Sequence, residues 1–482
     1  MSHILCIDIG TSRIKAALVD EHGAMPVMKS ERINRAASPD TQDVLIWRSA
    51  TVSLLRSMAQ ELAQMPPLAV SLTGNMHALL GIGEDGQPVA DAILWCSNGA
   101  TEESEKLLAR YPDFTQKYGN PPAPVFTLPK MIMCAEKTPE LYRKVKCFLQ
   151  PKDDIGYLLT GKFATDPSDA SGMMSFLPDE RCWDENMIRE LGLDPEKFPS
   201  VIESTALRGT VTDQAAVLTG LPAGLPVVCG AGDLATAALG CGAFGDVLSL
   251  TLGTAGQLLA SGLRGRWKPL AGKLFVFAHA DPESDLFLGS VPGGGFSLEW
   301  EATQRNLTMD DFFKQAEDAE LKEDLPVYLP YLLGRGAPYM DYTPCAAWHG
   351  LSAHHTLANL CRATVFGPLA ALRQSADLLG QLNGTEYRSV VLQSLACREK
   401  SVRETAAALF PQKKQMPENT EASLLGAAVL GAAATGLYPT IAEAIRQMVH
   451  TTELPERPEN ERLAAEKLFA RYLKTVDPVT AG

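Results

Sequence analysis

The sequence of 482 residues has no cysteine pattern of the kind that holds a metal or a disulfide framework. Its ten cysteines are scattered, without a CxxC pair or a histidine-bearing cluster at metal-ligand spacing. Cys6, Cys229 and Cys361 stand among apolar residues. This usage is typical of reduced core cysteines, so we expect a cytoplasmic protein.

The sequence also lacks the apolar runs that are typical of a signal segment or a membrane span. A strand-like apolar run begins at Ile4, which leaves no room for a charged region followed by an apolar one. The longest stretch of small apolar residues, 422–438, is interrupted by Ser423, Thr435 and several glycines. A spanning helix needs about 20 mostly apolar residues, so this stretch predicts a buried helix, and no membrane partner is expected.

Basic residues are few relative to acidic ones. The chain has 43 lysines and arginines against 57 aspartates and glutamates, a formal net charge of −14. This balance argues against nucleic acid or an anionic membrane as a partner, but not against ATP, which is bound by local groups. Contents of 46% hydrophobic and 21% charged residues predict a multidomain globular protein with sizeable cores.

The most informative pattern that is present is a turn that occurs twice. One short apolar run ends at Gly10-Thr11-Ser12, and another ends at Gly253-Thr254. Each run predicts a buried strand, after which glycine frees the backbone and a hydroxyl stands beside exposed N–H groups. Either copy alone is equally well explained as a tight hairpin with a capping hydroxyl. Together they predict two turns that hold one phosphate chain from both sides.

Two charged residues extend the first copy. Asp8 precedes the glycine on the same strand, and Lys15 lies on the following strand-like run. Mg²⁺ prefers one or two carboxylates with water and phosphate oxygens, while N–H groups and cations neutralise the rest. The hairpin therefore predicts a Mg-nucleotide site, with Asp8 at the metal and Gly10, Thr11, Ser12 and Lys15 at the phosphates.

Strand-like and helical segments alternate along the chain. Runs at 68–73, 78–82 and 226–229 are strand-like, whereas 43–65 and 101–110 have helical patterns. The alternation predicts an α/β fold. A second alternation follows Gly242, so the two halves are expected to share a core unit.

Two other glycine patterns are not interpreted as nucleotide-binding loops. Gly156 to Lys162 has the spacing of a Walker loop, but Phe163 stands where the Mg-binding hydroxyl is required. Gly240 to Gly245 spells a dinucleotide fingerprint, but a helical pattern precedes it and a strand follows, the reverse of the required order. This second pattern is predicted to be a helix-to-strand turn.

Many separate motifs match those of one family in the same order. They are Asp8-Ile9-Gly10-Thr11-Ser12, Thr73-Gly74-Asn75-Met76-His77-Ala78, Thr127-Leu128-Pro129-Lys130, Pro151-Lys152-Asp153, Leu159 to Gly172, Gly230-Ala231-Gly232-Asp233, Leu252-Gly253-Thr254-Ala255-Gly256, Ala347-Trp348-His349-Gly350-Leu351 and Gly426-Ala427-Ala428. The chain resembles the FGGY carbohydrate kinases over nearly its whole length, and among them the xylulose kinases most closely.

The resemblance implies an α/β fold of two actin-like, ribonuclease-H-like domains flanking a catalytic cleft. Residues 1–243 would form an N-terminal sugar-binding domain and residues 244–482 a C-terminal nucleotide-binding domain. The implied cofactors are ATP and Mg²⁺, with Gly253, Thr254 and Gly295 joining the first hairpin at the nucleotide. A homodimer is the implied assembly.

Asp233 is the candidate catalytic residue. It follows Gly230-Ala231-Gly232 and opens a helical run. Phosphorylation of a sugar hydroxyl needs a carboxylate that orients the hydroxyl and accepts its proton. An aspartate at a helix start is otherwise a cap, but the resemblance implies that Asp233 is the base and contacts the sugar. The helix dipole is expected to keep its carboxylate ionised at neutral pH.

The sugar is expected to contact Met76 and His77, which follow a strand and Gly74. A lone histidine is more often structural, but the resemblance implies that this pair binds a ketose. Where the family usually has Trp-Asn-Asp-x-Arg, the chain has Trp95 to Gly99, without the acid and the arginine. Trp95 and Asn98 remain candidate sugar contacts, and the lost charges predict a changed substrate length or stereochemistry.

The adenosine loop departs further from the family. Gln393-Ser394-Leu395 replaces glycines that would let the backbone pass close to a nucleotide, which predicts an altered nucleotide site. Arg335 and Phe366 stand where acidic residues are usual. Because Gly253-Thr254 and Gly293-Gly294-Gly295 are retained, the triphosphate site is expected to be better preserved than the base pocket.

Three hypotheses follow. The first is an ATP-dependent kinase that converts D-xylulose to D-xylulose 5-phosphate, or that acts on another ketose or a polyol. The second is a sugar-binding regulatory homologue with impaired phosphoryl transfer. The third is an actin-like ATPase, which would not be expected to carry the Met76-His77 motif.

Overall fold

The computed structural model describes residues 1–33 and 38–476. Its strands are β1 His3–Ile9, β2 Arg13–Asp20, β3 Val27–Arg32, β4 Thr41–Gln42, β5 Val70–Gly74, β6 Leu80–Gly83, β7 Ala92–Ile93, β8 Val145–Leu149, β9 Ala164–Thr165, β10 Phe176–Leu177, β11 Cys182–Trp183, β12 Ser200–Val201, β13 Leu207–Thr210, β14 Pro226–Gly232, β15 Val247–Leu252, β16 Gly256–Leu263, β17 Phe275–Ala278, β18 Ser284–Val291, β19 Val327–Leu329, β20 Ala347–His349, β21 Ser389–Leu392, β22 Lys413–Pro417 and β23 Thr451–Glu453.

The helices alternate with these strands. They are α1 Val44–Ser57, α2 Ala59–Gln64, α3 Thr101–Arg110, α4 Phe114–Tyr118, α5 Thr127–Lys137, α6 Pro139–Lys144, α7 Pro151–Thr160, α8 Pro167–Met173, α9 Glu185–Glu190, α10 Asp213–Thr219, α11 Asp233–Gly240, α12 Phe296–Gln304, α13 Met309–Asp318, α14 Leu357–Asn383, α15 Lys400–Leu409, α16 Ala422–Ala434, α17 Ile441–Met448 and α18 Glu459–Val476.

The first large sheet has the order β13-β14-β5-β1-β2-β3. Its centre consists of β14, β5 and β1, which pair in parallel, while β1, β2 and β3 form an antiparallel meander. The central strands are buried on both faces because helices cover the sheet on both sides, as expected for parallel strands.

The second large sheet repeats this arrangement in the order β17-β18-β16-β15-β21-β22-β23. Here β15, β16 and β18 form the meander, and β15, β21 and β22 pair in parallel. The corresponding first turns of the two meanders are the two Gly-Thr turns of the sequence. The prediction that the halves share a core unit, and with it the predicted two-domain α/β fold, is confirmed.

One helix from the second half of the sequence packs against the first sheet. α16 contacts β1, β5 and β14, and it also lies along α11. It is buried nearly all round. The buried helix predicted in 422–438 is therefore confirmed for residues 422–434, and the last four residues of the stretch form a turn. A single hydrophobic cluster therefore contains residues of both halves, including Met76, Ala235, Phe277 and Leu424. The division at 243/244 stays a prediction, and residues 477–482 of the second predicted domain lie outside the described residues.

Close contact between α11 and α16 depends on glycine. A Cβ at Gly240 would lie 1.9 Å from the Ala422 carbonyl oxygen, and a Cβ at Gly426 would lie 1.8 Å from the Thr236 carbonyl oxygen. Both distances are far below van der Waals contact, so each helix accommodates the other only because these positions have no side chain.

Several predicted elements differ in detail. The helical pattern at 43–65 is two helices, because Met58 leaves the helical conformation between α1 and α2 at φ −95° and ψ 5°. The Walker-like segment begins inside α7, which ends at Thr160 and is capped by Gly161 in the left-handed conformation. Gly240 to Gly245 joins α11 to β15. Neither glycine pattern therefore forms a loop that leads from a strand into a helix. Among the described residues, no helix is long and apolar enough to cross a membrane.

We predict that Gly426→Val destabilises the protein because its side chain would separate α11 from α16. Overpacking of this kind costs about 1–3 kcal/mol or more, so the midpoint of thermal unfolding should fall. Gly380→Ala in α14 is the matched control, since a Cβ there meets only the Thr385 carbonyl oxygen at 3.6 Å and alanine favours helix. Equal stability of the Gly426 variant and the wild type would contradict the packing argument.

Candidate active site

The central parallel strands of the first sheet end side by side. Gly74 at the end of β5 lies opposite Ile9 of β1 and Gly232 of β14. Ligands of open α/β sheets bind beyond the carboxyl ends of such strands. The residues that follow these ends include Asp233, which is therefore placed at the expected edge.

A cavity of about 420 Å³ lies at this edge, between the two sheets. It is lined by the predicted site residues Asp8, Gly10, Thr11, Met76, His77, Trp95 and Asp233. The lining residues that sequence reasoning missed are Asn75, Val125, Phe126, Leu234, Gln257, Phe275, Phe277, Leu288 and Ser423. Asn75 and Leu234 adjoin predicted residues, but β16, β17 and β18 carry no sequence signal that they face the first sheet.

The backbone that presents Asp233 is tightly constrained. Gly230 has φ +74°, and a Cβ there would come within 1.7 Å of the Leu72 carbonyl oxygen. The next glycine, Gly232, donates its N–H to Ser168 Oγ at 3.0 Å, and a Cβ on it would collide with Met76 at 2.6 Å. Asp233 then occupies the first position of α11.

A buried ionic cluster lies behind this turn. Lys152 Nζ is 2.7 Å from Asp153 Oδ1, 3.0 Å from Asp166 Oδ1 and 3.1 Å from Asp169 Oδ2, and all four side chains are fully buried. Asp166 also accepts the hydroxyl of Ser168 at 2.6 Å. The cluster thus reaches Gly232 through Ser168 and fixes the approach to Asp233.

The two carboxylates of the cavity are hard to ionise. Burial raises the pKa of Asp233 to about 7, and the nearby charge of Asp8 adds to the rise. Burial also raises the pKa of Asp8 to about 6, against the opposing effect of Lys15. With a pKa of about 7, Asp233 is only partly ionised at neutral pH, which corrects the expectation that the helix dipole keeps its carboxylate ionised there. Desolvation outweighs the hydrogen bonds from the start of α11.

Lys15 is engaged in an ion pair in this structure. It lies opposite Asp8 in the β1–β2 register, and its Nζ is 2.5 Å from Glu421 Oε2, just before α16. Lys15 and Ser12 do not line the cavity that contains Asp233. A role for Lys15 at phosphate therefore requires exchange of its carboxylate partner.

His77 is held in a strained backbone conformation at φ +68°. The buried ammonium of Lys130 donates to the His77 carbonyl at 2.7 Å and to the Val125 carbonyl at 2.8 Å, which joins two loops of the cavity. The imidazole ring of His77 fits because residue 172 is glycine. A Cβ added at Gly172 would lie 2.3 Å from His77 Nδ1. Burial and the charge of Lys130 lower the pKa of His77 to about 3, so the imidazole is neutral.

Of the altered Trp95 segment, Trp95 lines the cavity and Asn98 does not. Asn98 is exposed, and its carbonyl accepts the Thr101 hydroxyl at the start of α3. Arg335 and Phe366, which stand where the family usually has acidic residues, do not line this cavity. Arg335 forms an ion pair with Asp341, and Phe366 is buried in the core around α14.

The second Gly-Thr turn contacts the glycine-rich turn before α12. A Cβ at Gly295 would lie 1.8 Å from the Gly253 carbonyl oxygen, and Phe296 N–H donates to the Thr254 carbonyl at 3.0 Å. Thr254 and Ser12 are both exposed, and within the described ranges neither hydroxyl has a hydrogen-bond partner. Two turns with free hydroxyls fit a phosphate chain, and Asp8 fits a Mg²⁺ ligand that leaves other positions to water and phosphate.

The altered loop after β21 is anchored to the second turn by its own side chains. Ser394 Oγ accepts the Leu252 N–H at 3.1 Å, and Gln393 Oε1 accepts the Ser249 hydroxyl at 3.1 Å. Leu395 is 80% exposed and lines a cavity of about 240 Å³ with Arg398 and Met416. Side chains thus replace the family's glycines in this loop, but a cavity remains at the ends of β21 and β22.

Comparison with known proteins identifies the family. Residues 3–240 match the N-terminal domain, and residues 290–435 the C-terminal domain, of the FGGY family of carbohydrate kinases. The chain belongs to this family. It is therefore a sugar kinase, a phosphotransferase of an ATP-dependent family.

Individual FGGY relatives are similar over nearly the whole chain. The xylulose kinase of Lactococcus lactis is 27% identical, covering 99% of this chain and 96% of its own. A gluconokinase of Bacillus licheniformis is 25% identical, covering 94% and 91%. The crystal structure of a xylulose kinase from Brucella ovis superposes with a TM-score of 0.92 at 25% identity, covering 99% of each chain. Relatives with different sugars are thus almost equally similar in sequence.

We predict that Asp233→Asn stabilises the protein in a pH-dependent way. A carboxyl whose pKa is raised on folding costs stability as pH rises from about 4, where the unfolded group ionises, through about 7. The variant should match the wild type at pH 4 and gain up to about 4 kcal/mol above pH 7, at about 1.4 kcal/mol for each pKa unit, measured by denaturant unfolding without nucleotide or metal. The exposed Asp91→Asn is the control, and a gain independent of pH would contradict the assignment.

Proposed function

We propose that this carbohydrate kinase transfers the γ-phosphoryl group of Mg-ATP to a hydroxyl of an uncharged ketose, D-xylulose giving D-xylulose 5-phosphate. The observation that carries the proposal is the cavity in which Asp233, Met76 and His77 meet at the ends of the parallel strands. The similarity to xylulose kinases supports the choice of ketose.

Asp233 is proposed to act as the base. The acceptor oxygen forms a bond to the γ-phosphorus, the bond from that phosphorus to the oxygen of ADP breaks, and the hydroxyl proton passes to the Asp233 carboxylate. A base with a pKa near the working pH combines a useful ionised fraction with proton affinity. The value of about 7 that burial imposes on Asp233 meets this requirement.

ATP and Mg²⁺ are proposed to lie between the two Gly-Thr turns. Thr11 and Ser12 on one side, and Gly253, Thr254 and Gly295 on the other, would hold phosphate oxygens through N–H groups and hydroxyls. Asp8 would contribute a carboxylate to Mg²⁺, which supplies charge stabilisation for the transferring phosphoryl group. A cation there would also offset the charge of Asp8, which adds to the raised pKa of Asp233.

The charge of the cavity favours a neutral sugar over an aldonate such as the substrate named for the gluconokinase relative. Among the described residues that line the cavity, none is lysine or arginine, whereas Asp8 and Asp233 are acidic. Lys130 is close, but both of its hydrogen bonds go to carbonyls and burial lowers its pKa to about 7. A substrate carboxylate would be buried without a cation, which costs several kcal/mol.

The second candidate function, a sugar-binding regulatory protein, is favoured by the loop at Gln393 to Leu395. Its side chains replace the glycines expected near adenosine. Calorimetric titration with Mg-ATP separates the candidates: binding supports the kinase, and sugar binding without nucleotide binding supports regulation.

We predict that Asp233→Ala abolishes sugar-dependent ADP release, with kcat lower by at least about 10²-fold because the base contributes about 10²–10⁴. Sugar affinity should stay within a few fold by calorimetry. Asp91→Ala, an exposed aspartate outside the cavity, is the control for expression and folding. Unchanged turnover would remove Asp233 from the mechanism.

We further predict that His77→Ala raises the KM for the ketose about tenfold or more while kcat changes less, because a neutral imidazole can hydrogen-bond a sugar hydroxyl without reaching the phosphorus. The exposed His450→Ala is the matched control. An unaltered KM would exclude His77 from sugar binding.

A further inference from the structure

Lys130 is a buried amine that hydrogen-bonds to two loops of the cavity without belonging to its described lining. It is the fourth residue of α5, and its side chain is fully buried. Its Nζ donates to the carbonyls of His77 and Val125, two residues that do line the cavity. Lys130 is therefore placed to act on the cavity through the backbone of these loops and not by touching a ligand.

The hydrogen bond to His77 acts on a strained backbone. His77 has φ +68°, a left-handed conformation that residues with a side chain rarely adopt. Such a conformation persists only where the surrounding structure holds it. The backbone dihedrals of His77 set the directions of both its carbonyl and its side chain. By holding the carbonyl, Lys130 therefore also holds the direction in which the imidazole leaves the backbone.

The hydrogen bond to Val125 acts on the packing around the same imidazole. Val125 is followed by Phe126, whose ring meets the His77 ring edge-on with centroids 5.1 Å apart. Phe277 of the second sheet stacks on the imidazole at 5.6 Å. One amine thus holds both the backbone of His77 and the residue that adjoins one of its packing rings.

Packing alone does not explain an amine at this position. Burial lowers the pKa of Lys130 to about 7, and among the described residues its hydrogen-bond acceptors are the two carbonyls and no carboxylate. An apolar side chain of the same length would fill the space without this cost, and apolar replacement of buried charged groups is often neutral or stabilising. The amine is explained by what its two hydrogen bonds hold in place.

We propose that Lys130 is a positioning residue for the sugar, which holds His77 in the conformation that presents the imidazole to the acceptor. This inference rests on the proposed function for the role of His77 in ketose binding. Without the two donors of Lys130, the loop relaxes and the imidazole leaves its place against Phe277. The sugar then loses the hydrogen bond of His77 although the histidine is still present.

The first experiment is a double-mutant cycle. Lys130→Met removes the donors and keeps a side chain of similar length. Binding of D-xylulose is measured by calorimetry without nucleotide for the wild type, Lys130→Met, His77→Ala and the double variant. We expect Lys130→Met to raise Kd about tenfold, the effect of one lost hydrogen bond. In the double variant, Kd should stay within about twofold of that of His77→Ala, because residues that act through one another are not additive.

Two further variants complete the cycle. Lys414→Met is the matched control, since Lys414 is buried and its Nζ donates to the Phe410 carbonyl, but it does not line the cavity. Its Kd for the sugar should equal that of the wild type. Lys130→Gln keeps two N–H donors on a side chain one atom shorter, so its Kd should rise less than that of Lys130→Met. If Lys130→Met does not fold, Lys130→Gln takes its place in the cycle.

A spectroscopic measurement tests the positioning of the imidazole without sugar. The chain has eight histidines, and the ring-proton signal of His77 is assigned by its loss from the magnetic resonance spectrum of His77→Ala. Ring currents of Phe126 and Phe277 displace this signal from that of an exposed histidine. Lys130→Met should move the signal toward the value of an exposed histidine, whereas Lys414→Met should leave it in place.

The outcomes separate this inference from the proposed function. Unchanged sugar binding in Lys130→Met, a double variant whose Kd rises by the product of the two separate effects, or an unmoved His77 signal would each overturn the inference. Turnover of D-xylulose with a KM that Lys130→Met leaves unaltered would support the kinase and overturn the inference. All the expected changes in a protein that binds the sugar but releases no ADP would support the inference and refute the kinase reaction. A wild type that binds no D-xylulose would overturn both.

Discussion

The site depends on how closely backbone segments approach each other around α11. Gly240 and Gly426 let α11 and α16 touch, and Gly230 lets the end of β14 pass the Leu72 carbonyl. A side chain at any of these positions would displace Asp233 from the strand ends. Since α16 comes from the second half of the sequence, its contact with α11 ties the two halves of the chain together beside the cavity.

Burial then determines the chemistry of the groups that are brought together. The carboxylates of Asp8 and Asp233 are both withdrawn from water, so both pKa values rise, and the charge of Asp8 adds to the rise for Asp233. The opposite effect makes His77 neutral, because burial and Lys130 disfavour its protonated form. Asp8 and Asp233 have no lysine or arginine beside them in the described cavity lining, so a bound cation would balance their charge. The neutral imidazole of His77 can hydrogen-bond a hydroxyl.

The loop at Gln393 to Leu395 has a conformation that its sequence does not predict. The sequence shows that glycines are absent at Gln393 to Leu395, and from this alone a crowded pocket is expected. In the structure, Gln393 and Ser394 turn back to bind β15, next to the Gly253 turn. Their side chains strengthen the turn that is proposed to hold phosphate, and a cavity remains beside Leu395.

By itself, the sequence determined the α/β class, the repeated Gly-Thr hairpins and the placing of Asp233 at a helix start, because strand periodicity, glycine and helix signals are local properties of the chain. It also supported the family through motifs in order. Only the tertiary structure decided that Lys15 pairs with Glu421, that Asn98 is exposed outside the cavity lining, and that the pKa of Asp233 is raised. It alone showed that Phe275, Phe277 and Leu288 of the second sheet line the cavity. These features depend on which distant segments meet and how much water they exclude, and neither quantity is encoded in a local pattern.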